Sequence, residues 1–370
     1  MANADKKQSG GSGFGKVISI IAAFIAAIVF ICNGFQQAGE EAKKVSLAKA
    51  ADGTMAVHYI DVGQGDSEFV ELPNGETMLI DAGEKEQGQT VVNYINSLGY
   101  EEITYLIATH PHTDHIGGLA AVLREFDVKN VYMPNAVTTS STYDKFLTAV
   151  EKENCSVIEA KAGVSVVKDE SKGLAAYMLA PAGSGYESLN NYSAVLKIEF
   201  FNTSFLFMGD AETVSENEIN ADVSADVVKV GHHGSNSSSS AAFVKRVSPQ
   251  YAVIECGVDN SYGHPHKEPL ARWQSVGAEI LRTDTMGSIV ITSDGVNLTV
   301  SYDSASKGAQ VTAPAADYKW ALNTNTKKIH YPSCTSVTEG NGKNIEYSNK
   351  SLEELQSAGY TPCGRCNPHE

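Results

Sequence analysis

The chain is poor in cysteine, short of positive charge, and has only one long apolar run. Six cysteines in 370 residues set out no disulfide framework. The fold therefore rests on a hydrophobic core, and the length is enough for one large domain plus a small one. Lys and Arg number 28 against 44 Asp and Glu, a formal net charge of -16. That balance argues against a general polyanion-binding surface, so a nucleic-acid ligand would need a local basic groove or a metal to hold it. There is no internal repeat.

The one apolar run, Val17 to Cys32, is uncharged and somewhat short of the roughly 20 residues of a typical span. With its flanks it is expected to form a transmembrane anchor over 17–35. Lys6, Lys7 and Lys16 precede it, which orients the N-terminus to the cytoplasm and everything after the run to the outside. The expected localisation is the cell membrane, single-pass; the alternative is a cleaved signal peptide and a secreted protein. Residues 1–16 form a polar, disordered head and 36–54 a spacer. A globular pattern covers 55–303, an Ala/Ser/Gly/Pro-rich linker 304–317, and a short module 318–370. Within 55–303, strands such as Thr77–Ile80, Ile103–Ala108, Ser204–Met208 and Val227–Val230 alternate with helices such as Thr90–Leu98, Ser141–Lys152 and Glu268–Val276. This is an α/β pattern that suits two sheets face to face with helices outside.

Chemistry concentrates at residues 109–118, Thr-His-Pro-His-Thr-Asp-His-Ile-Gly-Gly. His110, His112, Asp114 and His115 lie on a loop between a buried strand and a helix, where imidazoles and a carboxylate can converge on Zn²⁺ or Mn²⁺. Asp81 ends Met-Leu-Ile-Asp, Asp210 ends Phe-Leu-Phe-Met-Gly-Asp, and His232 and His233 end Val-Val-Lys-Val-Gly-His-His. All stand at the exit of a strand, so they can gather at one rim. A carboxylate such as Asp210 can bridge two ions. Each Asp alone would pass for a turn residue; beside the histidine cluster that explanation weakens.

The His-x-His-x-Asp-His motif resembles the signature of the metallo-β-lactamase superfamily. Together with Asp61-Val-Gly-Gln-Gly-Asp66, Met208-Gly-Asp, Gly231-His-His-Gly-Ser and Tyr262-Gly-His-Pro-His266, it resembles the extracellular hydrolase domain of the ComEC type, from bacterial DNA uptake, over about 55–302. Choline-phosphate esterases of bacterial surfaces are similar. The resemblance implies an αββα sandwich with two divalent ions, Zn or Mn. His110 and His112 would hold one, Asp114 and His115 the other, with Asp210 bridging. Of the adjacent pair, His233 is expected to bind metal and His232 to meet phosphate or donate a proton. Asp81 would orient the histidine loop, and Asp61 and Asp66 would support the turn beside the site. The expected catalytic set is Asp114, His232 and His266, with His232 or His266 protonating the leaving oxygen. Most relatives carry one more histidine ahead of the bridging Asp; here the region reads Leu-Asn-Asn-Tyr-Ser, where Asn190 or Asn191 can offer an amide oxygen. Ser235 and Ser237–Ser240 are candidate phosphate contacts at a helix start.

In the tail, His330, Cys334, Cys363 and Cys366 have the spacing of one tetrahedral structural zinc. The flanking sequence resembles the metal-binding module of Ada-type DNA repair proteins. A Cys363–Cys366 disulfide is the alternative for an exported chain. The expected function is an exported metal-dependent phosphodiesterase, a nuclease acting on extracellular DNA by attack of metal-activated water. The alternatives are a surface small-molecule phosphoesterase of the choline-phosphate esterase type and a non-catalytic DNA receptor.

Overall fold

Two runs of alternating strand and helix fold into two sheets that share one core. The computed structural model describes residues 50–303, 319–331, 334, 337, 345–348, 350–363, 366 and 368. The first run supplies β1 (Met55–Tyr59), β2 (Glu68–Glu71), β3 (Thr77–Ile80), β4 (Glu102–Ile107), β5 (Asp127–Met133) and β6 (Ser156–Glu159). The second supplies β7 (Ser165–Asp169), β8 (Leu174–Ala180), β9 (Val195–Phe200), β10 (Thr203–Phe207), β11 (Val227–Lys229), β12 (Tyr251–Ile254) and β13 (Glu279–Arg282). The hairpin β14 (Ile289–Ser293) and β15 (Leu298–Tyr302) returns to the first sheet, giving the orders β15-β14-β1-β2-β3-β4-β5-β6 and β13-β12-β11-β10-β9-β8-β7.

Strand alternation builds the layers. Ile80 and Phe207 point inward to a core that also holds Tyr59, Ile107, Val227 and Val253. Their neighbours Leu79 and Leu206 point outward, as a period of two requires. Leu79 meets a helical layer that includes α1 (Gly88–Ser97), α3 (Leu119–Glu125) and α4 (Ser141–Lys152), through Ile95, Leu119 and Phe146. Leu206 meets α6 (Ala241–Val247) and α7 (Lys267–Ser275), through Phe243 and Trp273. The short helices α2 (Thr113–Ile116) and α5 (Thr213–Glu218) follow β4 and β10. The result is helix, sheet, sheet, helix. β3 to β6 run parallel, as do β10 to β13. Strands covered on both faces read as near-continuous apolar runs; Thr77–Ile80 and Val227–Lys229 are buried at every residue, with Thr77 and Lys229 as their polar members.

α4 forms because Tyr143, Phe146 and Val150 recur on one face and are its buried residues. Ser140 caps it, accepting the Tyr143 N–H at 3.2 Å.

In the tail, β16 (Trp320–Asn323), β17 (Lys328–His330), β18 (Ile345–Ser348) and β19 (Thr361–Pro362) form a separate sheet in the order β18-β16-β17-β19. α8 (Leu352–Ser357) starts from a Ser351/Glu354 capping box. Among the described residues no helix is long and apolar enough to cross a membrane. The proposed anchor 17–35, the head 1–16 and the linker 304–317 lie outside the described residues.

Candidate metal centre

Parallel strands exit at a common rim, and the chemistry sits there. Asp81 follows β3, the histidine loop follows β4, Asp210 follows β10, and His232 and His233 follow β11. The loops approach each other so closely that side chains are excluded at two glycines. A Cβ on Gly65 would collide with the Asp114 carbonyl oxygen, and one on Gly118 with that of Ala82. Asp81, His232 and His233 all adopt left-handed backbone, with φ of 52°, 50° and 52°. Such conformations are uncommon for residues with a side chain and concentrate at functional sites.

Two donor sets share one carboxylate. Ligand atoms of Asp114, His115, Asp210 and His233 lie within 4.8 Å of one another, and so do those of His110, His112 and Asp210. Asp210 Oδ1 is 3.2 Å from His115 Nε2 and 3.5 Å from His233 Nε2, while its Oδ2 is 3.7 Å from His110 Nε2. His233 Nε2 is also 3.4 Å from Asp114 Oδ2, and His110 Nε2 is 3.0 Å from His112 Nδ1. Three of these atoms, His115 Nε2, His233 Nε2 and Asp210 Oδ1, are buried with no hydrogen-bond partner. Buried polar atoms are almost always satisfied, so three facing one space fit a divalent cation between them. Imidazole and carboxylate are the donors that Zn²⁺ and Mn²⁺ take.

Residues behind the donors fix their orientation. Asp81 Oδ2 accepts from His115 Nδ1 at 2.8 Å, and its Oδ1 accepts the Thr109 N–H at 2.9 Å. The His233 Nδ1 donates to the Glu255 carbonyl at 3.0 Å. Both rings thus keep the Nε2 lone pair for the centre. Burial would strip the proton from His233, but Asp210 and Asp66 outweigh it and push its pKa up to about 10. Burial and the neighbouring His115 hold His110 well below the ordinary value, so it is a neutral ligand. Burial disfavours the Asp210 carboxylate, yet His115 and His233 keep it well below the usual range. The carboxylates around them favour protons on His115 and His233, which a bound metal would displace.

Under this rim lies a wholly buried ionic group. Lys229 Nζ donates to Asp66 Oδ2 at 2.5 Å, and Asp66 Oδ1 is 3.1 Å from His233 Nδ1. Glu68 and Glu255 stand beside them. Burial, then the neighbouring Asp66, pushes Glu68 up to about 8, and burial, then Glu68, raises Glu255 well above the usual range. Both carboxyls are thus pushed toward the neutral form beside one ion pair, which limits the net charge in the interior.

The family model of the metallo-β-lactamase superfamily matches residues 60–257, more than half of the chain. The chain belongs to the metallo-β-lactamase superfamily. Among curated relatives it is 34% identical over 254 residues to "ComE operon protein 3" of Bacillus subtilis, covering 63% of this chain and 32% of that one. It is 29% identical over 239 residues to "Competence protein ComA" of Neisseria gonorrhoeae, with coverage of 63% and 32%. The chain therefore spans about a third of the length of these ComEC-type relatives. Among solved structures, the metallo-β-lactamase fold protein YhfI from Bacillus subtilis is 13% identical, with coverage of 65% of this chain and 99% of that one and a TM-score of 0.46.

Within this superfamily site, the structure separates the expected residues. It brings His110, His112, Asp114, His115, Asp210 and His233 together, with Asp81 and Asp66 behind. His232 stands at the edge, its Nε2 3.7 Å from Asp210 Oδ2 and its Nδ1 2.9 Å from Ser237 Oγ. Asn191 turns elsewhere: its amide oxygen accepts from Glu212 N and Ser215 N, and its nitrogen donates to the Glu212 carboxylate. Asn190 is the one of the pair beside His232, at 3.4 Å. Asp61 accepts from Gly63 N at 3.0 Å and acts as a turn residue, outside the donor sets. His266 accepts the Asn236 N–H at 3.1 Å through Nδ1 and does not line the cleft; His264 and Tyr262 do. The amides of Ser239 and Ser240 are occupied by Glu216 at 2.5 and 3.0 Å, so that helix start offers no free pair to phosphate. Sequence reasoning missed Glu212, Lys229 and Glu255. Their signal is a charged residue inside or just after an apolar strand.

In the tail, ligand atoms of His330, Cys334, Cys363 and Cys366 lie within 4.8 Å of one another, and the first three residues are buried.

Proposed function

We propose that the chain is an exported, membrane-anchored metal-dependent phosphodiesterase, a nuclease acting on extracellular DNA. The observation that carries it is the pair of donor sets sharing Asp210, with three buried, unpartnered ligand atoms aimed at one space. In this reading His110 and His112 hold one divalent ion, Asp114, His115 and His233 hold a second, and Asp210 bridges them. When bound, the ions polarise a phosphoryl oxygen and lower the pKa of water. Asp81 and the Glu255 carbonyl keep the His115 and His233 rings aimed. His232 meets the substrate: Ser237 Oγ and the Asn190 amide hold its Nδ1 side at 2.9 and 3.4 Å, and its Nε2, 3.7 Å from Asp210 Oδ2, faces the place of a phosphate or leaving oxygen. His264 and Tyr262 close the other side of the cleft. The likeness to these relatives, one of which is named a competence protein, favours DNA as the substrate. Residues 17–35 would tether the domain, and the tail cluster would hold one structural zinc.

One observation favours the small-ester alternative: the cleft itself encloses only about 350 Å³, near the lower end for small-molecule sites. The purified protein with Mn²⁺ or Zn²⁺ is expected to cleave DNA as well as bis-p-nitrophenyl phosphate, and His112→Ala with Asp114→Ala to lose both activities. Cleavage of the small ester without DNA would select the alternative. Full activity in the double variant would end the proposal.

A further inference from the structure

Cations gather in one place beside the centre. A groove of about 600 Å³, larger than the cleft over the donors, runs between α3 and α4. Lys85, Arg124, Lys145 and Lys152 line it with a single carboxylate, Asp144. All four cations are exposed, and none is in an ion pair among the described residues. Four positive charges against one negative depart sharply from a chain with 28 basic and 44 acidic residues. The floor is small and apolar, formed by Ala120, Ala121 and Ala149.

The groove continues the site. Thr113, Asp114 and Ser140 line the cleft; Gly117, Ser141 and Thr142 line the near end of the groove. The chain passes from one to the other within one turn of α2 and at the first residue of α4. From Ser141 to Lys152, α4 runs about 17 Å at 1.5 Å per residue, long enough to follow several consecutive phosphates of one strand. Lys145 and Lys152 are two helical turns apart on the face that borders the groove, with Arg124 opposite on α3.

We propose that this groove binds the single-stranded phosphodiester backbone leading into the metal centre. The inference rests on the nuclease reading above and names where that substrate lies. Phosphates pair with Arg124, Lys145 and Lys152, a basic groove that tracks the backbone as in sequence-independent single-strand sites, and the sugars rest on the alanine floor, with no aromatic side chain lining it to stack bases. It also resolves the conflict between an acidic protein and a polyanionic substrate. Attraction is local and adjoins the reacting bond, while the remaining surface repels nucleic acid and limits unproductive binding.

The test uses the full chain. Binding of a long labelled single-stranded oligonucleotide is followed by anisotropy against salt, with EDTA present; hydrolysis of the oligonucleotide and of bis-p-nitrophenyl phosphate is followed with Mn²⁺. The Arg124→Ala/Lys145→Ala/Lys152→Ala variant is expected to bind at least about tenfold more weakly. Its slope of log K against log salt should be shallower by about 2, from about 0.7 for each phosphate that no longer meets a cation. Its kcat/KM for the small ester should match the wild type, which also reports an intact fold. Should the triple variant lose small-ester activity, the single charge reversals Lys145→Glu and Lys152→Glu decide by the same two readouts. Unchanged affinity and slope overturn the groove and leave the nuclease reading standing. A wild type that cleaves the small ester yet neither binds nor cleaves DNA overturns both.

Discussion

Replacing Asp81 with Asn isolates what orientation contributes to the metal centre. Asp81 is fully buried, and it accepts three hydrogen bonds: from Thr109 N at 2.9 Å, Thr109 Oγ1 at 2.5 Å and His115 Nδ1 at 2.8 Å. Asparagine keeps the shape and tolerates the left-handed backbone at this position, so strain is not added. An amide has one accepting oxygen and one donating nitrogen. If the nitrogen takes the Oδ1 position, it faces the Thr109 N–H, donor against donor. If it takes the Oδ2 position, it faces His115 Nδ1, which must then become an acceptor. The His115 proton moves to Nε2, the atom 3.2 Å from Asp210 Oδ1, and the lone pair meant for the metal is lost.

Either arrangement acts most directly on the set Asp114, His115, Asp210 and His233; His110 feels it only at second hand, through the Thr109 hydroxyl 3.1 Å from its Nδ1. Loss of a group that orients a metal-binding histidine lowers affinity about 10- to 100-fold, which is about 1.4 to 2.8 kcal/mol. Competition with a chromophoric chelator, or calorimetric titration with Mn²⁺, should therefore show one of two sites weakened by that factor. The metal-free variant should lose about 1–3 kcal/mol of stability from the buried donor left without an acceptor, and remain folded, because the isostere leaves no cavity. Two unchanged affinities would refute the reasoning, and so would a larger loss at the site of His110 and His112.

Two further outcomes are expected. Burial favours the protonated Glu71 carboxyl, but bonds from His58 Nε2, Tyr100 Oη and the Ala50 N–H outweigh it and hold its pKa below the ordinary value. Its stabilisation is present above about pH 4.3, the unfolded value, and disappears as pH falls through the lower folded value. Glu71→Gln should lower stability by about 1 kcal/mol at pH 7 and flatten the acid limb of the melting profile; an unchanged acid limb would contradict this. For the tail, elemental analysis of the full chain should find one fewer zinc per chain in Cys363→Ser than in wild type, with hydrolase activity retained. Equal zinc content would point instead to a disulfide in that segment.

The parallel strands are legible in the sequence because they are covered on both faces and read as apolar runs; Ser141–Lys152 is legible because its period and its cap agree. β5, β6 and β7 are not. Ser156–Glu159 is an edge strand with mostly exposed side chains, and Asp127–Met133 is rich in polar and charged residues. Neither carries a clean alternation, and their pairing with β4 and with each other is decided by tertiary contact.

The site divides along the same physical line. Donor atoms announce themselves by type and spacing, since imidazole and carboxylate at strand exits have few structural uses. Supporting residues do not, because their role depends on which atom a long-range neighbour presents. Asn191 and Asn190 are adjacent and chemically identical, and both donate to Glu212, yet only Asn190 also reaches His232. His264 and His266 flank one proline, yet His264 lines the cleft and His266, just ahead of α7, turns its Nδ1 to the Asn236 N–H. Lys229 lies mid-motif, and in sequence it is an ordinary basic residue. Its meaning appears only when Asp66, more than 160 positions earlier, accepts its ammonium. That bond ties the two sheets together directly beneath His233. The same pair that keeps a buried charge neutralised therefore also sets the height at which the metal-facing imidazole stands.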